Sequence, residues 1–413
     1  MKYGCIGEHL KHSFSKEIHG LIADYEYEIR ELDRNDVGSF MQKADFLAIN
    51  VTIPYKETVI PYLYSIDEGA RLIGAVNTVV NRDGKLYGYN TDFFGMNALL
   101  SFAGISLSDK KVLILGTGGT SKTAYAVAKA AGAKEIIKAS RKASEDAILY
   151  TDVYKYHTDS QVIINTTPVG MFPNIFEKPI ELSKFKKLSG VIDAVYNPLS
   201  TPLILEAKAM GIPAEGGLYM LVAQGIRASE IFLDTKYPDS LYGEIFNKIT
   251  RDKRNIVLIG MPASGKTTVG KILAKELCRN LADTDALVEA SENRKISNIF
   301  AADGEAKFRE LETAAIKEVS ALSSAVIATG GGAVLRRENI SALSENGRIY
   351  FIDRPLHLLL PTEDRPLASS AEAIRKRFAE RYEIYRASAD VIVPGDRTPT
   401  EIAEYIINDF LRQ

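Results

Sequence analysis

Short apolar runs alternate with amphipathic stretches along most of the chain. Two of these runs, 111–115 and 255–259, are apolar after their first residue and lead directly into glycine-rich segments. A short apolar run followed by glycines and then by a helical pattern is typical of a buried strand that ends in a tight turn before a helix. The pattern therefore predicts an α/β protein with largely parallel sheets.

The chain is long enough for several domains. It has 413 residues, of which 46% are hydrophobic, and at roughly 150 residues per domain this predicts two to three hydrophobic cores. The hydrophobic pattern is interrupted at Tyr237-Pro238, continues as a helix-like stretch to about Ile249 and then becomes charged. We expect a first domain over 1–246, a linker over 247–254 and a second domain over 255–413. Within the first domain, we expect 1–100 with 218–246 to form a substrate-binding part and 101–217 to form a nucleotide-binding part.

Charge and cysteine content argue against several classes of protein. The chain has 51 basic and 53 acidic residues and a net charge of −2, which gives no general attraction for nucleic acid or an anionic membrane. Its two cysteines, Cys5 and Cys278, lack the spacing of a disulfide framework or a zinc site. We find neither a signal-peptide pattern nor an apolar run near the roughly 18 residues that span a bilayer. We therefore expect a cytoplasmic protein that binds neither nucleic acid nor membranes.

The first glycine-rich turn predicts a dinucleotide site. Gly116, Gly118 and Gly119 follow the run 111–115, and Ser121 stands where the dinucleotide-binding pattern has its third glycine. The alanine-rich helical pattern that follows suits close packing of a helix on a sheet. Such a turn directs backbone N–H groups at a phosphate, so we predict a Rossmann-like site; a strand-to-helix turn without a ligand is the alternative.

The end of the next predicted strand indicates which nucleotide is bound. Ser140, Arg141 and Lys142 follow the run 135–139. NAD sites carry an Asp or Glu near this point, whereas NADP sites need cations for the 2′-phosphate. Two cations and no carboxylate are present, so we predict that Arg141 favours NADP; an ordinary solvated pair of cations is the alternative.

Lys56 and Asp92 are candidates for acid/base chemistry. Lys56 lies just after a predicted strand and a proline turn, and Asp92 ends the polar segment 89–92. Interconverting a secondary alcohol and a ketone moves a proton together with a hydride, and a positioned lysine with a carboxylate partner can move that proton. From the residues alone, a surface salt bridge remains the simpler interpretation.

The order of motifs over residues 1–246 resembles the shikimate dehydrogenase family. Eight segments carry the resemblance: 12–15 (HSFS), 50–56 (NVTIPYK), 74–78 (GAVNT), 89–92 (YNTD), the glycine turn, 165–171 (NTTPVGM), 193–198 (DAVYNP) and 216–224 (GGLYMLVAQ). The resemblance implies that Lys56 and Asp92 are the catalytic pair and that Arg141 recognises NADP. It also implies a pocket for a polyhydroxylated cyclohexene carboxylate, formed by Ser13, Ser15, Thr52, Asn77, Tyr196 and Gln224.

The second glycine-rich turn is a complete P-loop motif. Residues 260–267 match the pattern GxxxxGK[ST]. The residues expected to bind nucleotide are Gly260, Gly265, Lys266, Thr267 and Thr268. In such a loop backbone N–H groups wrap the phosphates, the lysine reaches the β- and γ-phosphates, and the Thr267 hydroxyl can ligate Mg²⁺. The motif alone does not separate a kinase from an ATPase or a GTP switch.

Three further segments help to decide which class of P-loop protein this is. Asp283 and Asp285 lie two residues apart after a probable strand, so their side chains can face one way, one towards Mg²⁺ and one towards a substrate hydroxyl. Residues 308–312 lie in a helical run, and 327–332 ends a strand in three glycines. Each also has a purely structural interpretation, as a solvated acidic turn, a surface arginine and a flexible loop.

Together these segments resemble the shikimate kinase family over about residues 254–413. The resemblance implies that Asp285 orients the ring hydroxyls as the candidate base and that Asp283 holds Mg²⁺ through water. It further implies that Arg309 and Arg381 bind the substrate carboxylate, that Gly330, Gly331 and Gly332 line the pocket, and that Arg365 closes from a lid onto the phosphates. Paired arginines suit a planar carboxylate because their guanidinium groups can bind it through two parallel bonds.

The two resemblances imply one bifunctional enzyme. It would reduce 3-dehydroshikimate with NADPH and phosphorylate the resulting shikimate with ATP and Mg²⁺, as a monomer or a homodimer. Two alternatives remain at this stage: a first half that oxidises quinate as well as shikimate, and a nucleotide-binding sensor without catalytic activity.

Overall fold

The computed structural model describes residues 1–8, 10, 13–360 and 370–412. The chain divides into two compact units, Met1–Ile249 and Thr250–Gln413. The division falls within a helix that runs from Ser240 to Lys253, so nearly all of the segment expected to be a linker is helical. Within the described part of the chain, none of the helices combines the length and apolarity that crossing a lipid bilayer requires.

The first unit begins with a mixed six-stranded sheet of order β2-β1-β3-β5-β6-β4. Its strands are β1 (Tyr3–Gly7), β2 (Tyr27–Glu31), β3 (Ala48–Val51), β4 (Ser65–Ile66), β5 (Thr78–Arg82) and β6 (Lys85–Tyr89), and its helices are α1 (Ser15–Ile22), α2 (Val37–Lys43), α3 (Glu68–Ile73) and α4 (Asp92–Phe102). We refer to this part as the first lobe.

One hairpin makes the first sheet mixed rather than parallel. Strands β5 and β6 pair antiparallel around Asp83 and Gly84, whose φ angles are +52° and +81°. An Asp-Gly pair with two positive φ angles forms the tight turn that matches the twist of a hairpin. Strand β5 also pairs antiparallel with β3, whereas the other three pairings of this sheet are parallel.

The second lobe of the first unit is a fully parallel sheet of order β12-β11-β10-β7-β8-β9. Its strands are β7 (Lys111–Leu115), β8 (Glu135–Ser140), β9 (Ile148–Leu149), β10 (Val162–Asn165), β11 (Gly190–Asp193) and β12 (Ala214–Glu215), and its helices are α5 (Gly119–Ala130), α6 (Tyr150–Tyr156) and α7 (Pro202–Ala209). Alternate residues of β7 enter different cores, with Val112 and Ile114 on one face and Leu113 and Leu115 on the other. Burial on both faces explains the continuous apolar run in the sequence.

After the second lobe, α8 (Leu218–Leu233) and α9 (Ser240–Lys253) follow. Helix α8 packs against the first lobe, because Leu218, Val222 and Ile226 share a hydrophobic cluster with Phe14 and Ile18. The first lobe is therefore built from both ends of this unit.

The second unit is a parallel sheet of order β14-β15-β13-β16-β17. Its strands are β13 (Asn255–Ile259), β14 (Asn280–Asp283), β15 (Ala325–Ala328), β16 (Gly347–Asp353) and β17 (Val391–Pro394); its helices are α10 (Lys266–Glu276), α11 (Thr284–Glu292), α12 (Ile296–Ser320), α13 (Arg337–Asn346), α14 (Ala371–Ser388) and α15 (Pro399–Leu411). Helix α12 is interrupted at Gly304, where φ is +82°. The fully buried β13 lies at the centre, so its carboxyl end opens at the kind of crevice where α/β proteins bind ligands.

Candidate active sites

Lys56 and Asp92 form an ion pair in the first unit. Lys56 Nζ donates a hydrogen bond to Asp92 Oδ2 at 2.6 Å, and their side chains are 15% and 9% exposed. Lys56 follows β3 after a short turn, and Asp92 is the first residue of α4. A negative charge at a helix N-terminus is favoured by the helix dipole, so the start of α4 is a suitable position for the carboxylate that pairs with the lysine.

Asn90 fixes the segment that carries Asp92. Its Oδ1 accepts hydrogen bonds from the backbone N–H groups of Asp92 and Phe93 at 3.0 and 3.4 Å, while its Nδ2 donates to the carbonyl of Ala75 at 2.8 Å. The sequence motif had drawn attention to Asp92 alone. The signal for Asn90 was its place just before a helix, where Asn is a favoured capping residue.

A buried amide cluster lies next to the pair. Asn77 Nδ2 donates to Thr91 Oγ1 at 3.0 Å and to Gln224 Oε1 at 3.2 Å, and Asn77 Oδ1 accepts from the Thr91 backbone N–H at 2.8 Å. Gln224 belongs to α8, so residues far apart in sequence meet here. The cluster brings together two of the residues predicted to bind substrate, beside the segment that carries Asp92.

The other residues predicted to bind substrate come from the start of α1, from the segment after β3 and from the segment after β11. The Ser13 hydroxyl bonds Ser15 Oγ at 3.1 Å and also forms a hydrogen bond with Tyr196. Desolvation raises the pKa of Tyr196 to about 12, and the bond to Ser13 acts in the opposite direction. Thr52 follows β3 and its methyl group lies against Gly7, where a Cβ would come within 2.6 Å.

The first glycine turn lies at the carboxyl end of β7. Gly116 has φ +109°, and a Cβ there would come within 2.8 Å of Thr166 Oγ1. Ser121, which replaces the expected third glycine, is buried and donates to the Gly116 carbonyl at 2.7 Å. The serine therefore stabilises the turn. Gly118 is the N-cap of α5, and the space that a Cβ at Gly118 would enter is open.

The catalytic pair lies beside this turn. A Cβ at Gly119 would lie 3.9 Å from Lys56 Cδ. Close by, Lys122 of α5 forms an ion pair with Glu57 at 2.7 Å. The candidate acid/base pair of the first lobe and the helix N-terminus of the second lobe thus face one site within the first unit.

Ser140 ends β8, next to the glycine turn, and Arg141 and Lys142 follow it. The backbone N–H of Lys142 donates to Ser140 Oγ at 3.2 Å, and the Ser140 hydroxyl donates to the Lys142 carbonyl. Both cationic side chains are exposed, and within the described residues Arg141 has no ion-pair partner. The arrangement leaves Arg141 available to an anion.

In the second unit, the P-loop connects β13 to α10. Lys266 is 5% exposed, and its Nζ donates to the carbonyls of Gly260 and Met261 at 2.8 and 2.9 Å. Gly260 and Gly265 have φ angles of +151° and +93°, which glycine adopts without strain. Thr268 is exposed in the first turn of α10.

Asp283 links the P-loop to the next strand. Its Oδ2 accepts from Thr267 Oγ1 at 2.7 Å, and its Oδ1 accepts from the backbone N–H groups of Asp285 and Ala286 at 3.0 and 3.3 Å. Asp283 ends β14 and caps α11, so Asp285 lies in the first helical turn. The two carboxylates are thus arranged by the start of a helix, and the strand alternation assumed from their spacing does not apply.

Glu312 is a site residue that the sequence reasoning missed. A Cβ at Gly330 would come within 2.5 Å of Asp285 Oδ1 and 2.7 Å of Glu312 Oε1, so both carboxylates abut the same glycine. Glu312 is 1% exposed, and its Oε1 has no hydrogen-bond partner within the described residues. Burial raises the pKa of Glu312, and Arg309 opposes the shift. Its spacing of three residues from Arg309 on α12 was the available signal.

Two buried arginines meet the triple-glycine segment. Arg309 Nη1 donates to Glu312 Oε2 at 2.7 Å and lies so close to Gly332 that any Cβ there would overlap it. Arg381 Nη1 donates to the Gly331 carbonyl at 3.1 Å, and the Tyr385 hydroxyl donates to the same carbonyl. The structure therefore brings Asp285, the three glycines and both arginines into one site. The predicted lid residue Arg365 lies outside the described residues.

The two units define two classes of enzyme site: an acid/base pair beside a dinucleotide-type turn, and a P-loop beside carboxylates and arginines. Residues 5–79 match the family model for the shikimate dehydrogenase substrate binding domain, and residues 262–411 match the model for shikimate kinase.

Individual relatives extend the first match across the first unit. The shikimate dehydrogenase (NADP(+)) of Clostridium beijerinckii is 36% identical over 265 residues, which cover 60% of this chain and 98% of that protein. The crystal structure of shikimate dehydrogenase 1 from Peptoclostridium difficile has 36% identity and a TM-score of 0.56, and covers 60% of this chain and 98% of its own. A Thermus thermophilus shikimate 5-dehydrogenase in complex with NADP(H) and shikimate has 26% identity and a TM-score of 0.55, with coverages of 60% and 99%.

The chain belongs to the shikimate dehydrogenase family through its N-terminal region and carries a C-terminal shikimate kinase domain. It is a bifunctional enzyme of the shikimate pathway, as the two series of motifs predicted.

Proposed function

We propose that the first unit reduces 3-dehydroshikimate to shikimate with NADPH and that the second unit phosphorylates the 3-hydroxyl of shikimate with ATP and Mg²⁺. The observation that carries the proposal is the 2.6 Å ion pair of Lys56 and Asp92 beside Gly119. A relative of the first unit has been crystallised with both NADP(H) and shikimate, which supports the choice of ligands.

Lys56 and Asp92 have complementary roles in this proposal. When bound, NADPH supplies the hydride. The Lys56 ammonium donates a proton to the carbonyl oxygen as it becomes a hydroxyl, and in the reverse direction the amine accepts that proton. Asp92 holds Lys56 Nζ in place and stabilises its positive charge. Ser13, Ser15, Thr52, Asn77, Tyr196 and Gln224 bind the hydroxyl and carboxylate groups of the substrate.

The chain offers a fitting site for NADP. The open space above Gly118 admits a pyrophosphate against the start of α5, where backbone N–H groups and the helix dipole favour an anion. The exposed, unpaired Arg141 lies at the end of β8, where a 2′-phosphate is expected. Gly116, Gly119, Ser140 and Lys142 complete the proposed nucleotide site.

Replacing Arg141 with Ala should weaken the use of NADPH selectively. Charge-assisted hydrogen bonds are worth about 1.5–3 kcal/mol, so the KM for NADPH should rise about tenfold or more. The KM for NADH, which lacks the 2′-phosphate, should stay unchanged in steady-state assays. Lys134→Ala is the matched control, since this exposed lysine precedes the opposite end of β8. Equal changes with both nucleotides would contradict the assignment.

The second unit has a donor set that fits Mg²⁺. Within the described residues, no cluster of three or more His, Cys, Asp or Glu could hold a metal by itself. Mg²⁺ at kinase sites takes few protein ligands, completed by water and phosphate oxygens. Thr267 Oγ1 and Asp283 Oδ2 lie 2.7 Å apart. Thr267 would bind Mg²⁺ directly and Asp283 would hold it through water, and the ion would neutralise charge on the phosphates.

The remaining kinase residues position the two substrates. Backbone N–H groups of Gly260 to Thr268 cradle the phosphates, and Lys266 moves its donors from loop carbonyls to the β- and γ-phosphates. Asp285 orients the 3-hydroxyl and accepts its proton. Arg309 and Arg381 bind the carboxylate, Gly330 to Gly332 leave room for the ring, and Arg365 is proposed to reach the phosphates.

One coupled assay tests both activities. The intact chain is supplied with 3-dehydroshikimate, NADPH, ATP and Mg²⁺, and the expected result is consumption of NADPH together with formation of shikimate 3-phosphate. Omission of ATP should leave shikimate, and omission of NADPH should leave 3-dehydroshikimate unchanged. Parallel rates with quinate decide whether the first unit is selective. Absence of both products from a chain that binds shikimate would refute the proposal and favour a sensor.

A further inference from the structure

A cavity of about 310 Å³ lies beside Arg381 in the second unit. The ionisable groups on its wall are Lys376, Arg377, Arg381, Glu305 and Glu380. Three of them are cations and two are carboxylates, so the wall carries a net positive charge. A cavity of this volume and charge suits a small anion.

Among the described residues, the two carboxylates form no ion pair with the three cations of this wall. Glu305 Oε1 already accepts from Arg309 Nη2 at 3.0 Å and from Arg309 Nε at 3.3 Å. Glu380 is exposed and, in the described part of the chain, forms no ion pair. The wall therefore keeps one cation in excess of its carboxylates, although Glu305 and Glu380 act on Arg377 through space and Glu312 acts on Arg381.

Arg381 has a buried donor aimed at no protein group. The residue is 5% exposed, and its Nε has no hydrogen-bond partner within the described residues. A buried guanidinium donor left without a partner loses its hydration and gains no hydrogen bond in return, which is unfavourable. An anion bound in the cavity would satisfy it.

Arg377 presents a second unpaired guanidinium to the same cavity. It lies four residues before Arg381 on α14, so both side chains project from one face of the helix. Arg377 is half-buried and forms neither a hydrogen bond nor an ion pair with any described residue. Burial, then the charge of Arg381, lowers the pKa of Arg377; Arg309 acts in the same direction, and Glu305 and Glu380 oppose it. A bound anion would relieve this repulsion.

We propose that Arg377 is a further substrate-binding residue of the kinase, which contacts the carboxylate of shikimate together with Arg309 and Arg381. The inference rests on the proposed function of those two arginines. A carboxylate has about four lone-pair sites and can therefore accept from more than two guanidinium groups. Arg377 thus adds selectivity for an acid over a neutral ring of the same shape.

Kinetics of Arg377→Gln in the intact chain test this role. The KM for shikimate in the kinase reaction should rise about tenfold or more, the fold-change expected from one charge-assisted bond. The kcat at saturating shikimate and the KM for ATP should stay close to those of the wild type, which shows that the unit is folded. Arg375→Gln is the matched control, because Arg375 is exposed on the same helix and does not line the cavity. An unchanged KM for shikimate in Arg377→Gln would overturn the proposal.

The methyl ester of shikimate identifies the group that Arg377 contacts. With this neutral substrate the variant and the wild type should have equal KM values. An equal loss with acid and ester would overturn the assignment to the carboxylate.

Titration of the intact chain with shikimate, without nucleotides, separates this inference from the proposed activity. The wild type should bind shikimate at two sites, and Arg377→Gln should weaken only one. Binding at two sites without phosphoryl transfer would refute the proposed function alone. Equal affinities in the variant and the wild type would refute the role of Arg377 alone.

Discussion

Lys56→Ala should reduce the rate of 3-dehydroshikimate reduction by about 10²- to 10⁴-fold, the contribution usual for a positioned general acid. The loss is expected because Lys56 is the cation within 2.6 Å of Asp92 beside the glycine turn. The measurement is NADPH oxidation under saturating conditions. The kcat should fall far more than the KM for NADPH rises, since the lysine acts on the carbonyl and not on the nucleotide.

The second unit supplies an internal reference for this variant. Lys56→Ala should form no shikimate 3-phosphate from 3-dehydroshikimate, yet should form it at the wild-type rate once shikimate is added. Lys43→Ala, at an exposed lysine near the end of α2 in the same lobe, should behave as the wild type. A Lys56→Ala chain that keeps more than a tenth of the reduction rate would remove Lys56 from the proposed chemistry.

The glycine turns were the parts of both sites that the sequence predicted best. An apolar strand followed by glycines and a helix is a local pattern, and the structure has it at Lys111–Leu115 and at Asn255–Ile259. The hairpin at Asp83-Gly84 was equally local. The alternation of strands and helices did not indicate this hairpin, which makes the otherwise largely parallel first sheet mixed.

Contacts between residues that lie far apart in the sequence could not be predicted from composition and spacing. Lys56 and Asp92 are 36 residues apart; their chemistry made them candidates for an acid/base pair, but the family resemblance was needed to prefer this over a surface salt bridge. Gln224 meets Asn77 across 147 residues. The role proposed for Arg377 is a further case, because it depends on the absence of a partner among the described residues, which only the packing around α14 reveals.

Asp283 and Asp285 show how a change of local structure alters the geometry expected from residue spacing. Their spacing suggested two side chains on one face of a strand, whereas the chain changes from β14 to α11 at this point. At the start of α11, Asp283 accepts a hydrogen bond from Thr267 and caps the helix. Asp285 lies against Gly330. The two carboxylates therefore have different surroundings, which supports the proposal that Asp283 holds the metal and Asp285 faces the substrate, a division of roles that mutation can test.

Asp285→Asn should reduce phosphorylation of shikimate by about 10²- to 10⁴-fold, because the amide keeps the shape of the side chain but cannot accept the hydroxyl proton. The substitution leaves Thr267, Asp283 and Lys266 in place, so the KM for ATP should change little. Formation of shikimate 3-phosphate from added shikimate is the measurement. Reduction of 3-dehydroshikimate by the same chain should continue at the wild-type rate, so that shikimate accumulates in the coupled assay.

Glu310→Gln is the matched control for the Asp285 variant. Glu310 is an exposed carboxylate on α12 whose ion pair with Lys307 is 3.5 Å long and exposed, and such pairs contribute little to stability. This variant should phosphorylate shikimate normally, which separates loss of one particular carboxylate from loss of negative charge in the unit. If Asp285→Asn instead raised the KM for shikimate with an unchanged kcat, Asp285 would serve in binding alone. Positioning by Mg²⁺, Lys266 and the arginines would then account for the catalysis, since phosphoryl transfer requires little more of a protein than placement and charge neutralisation.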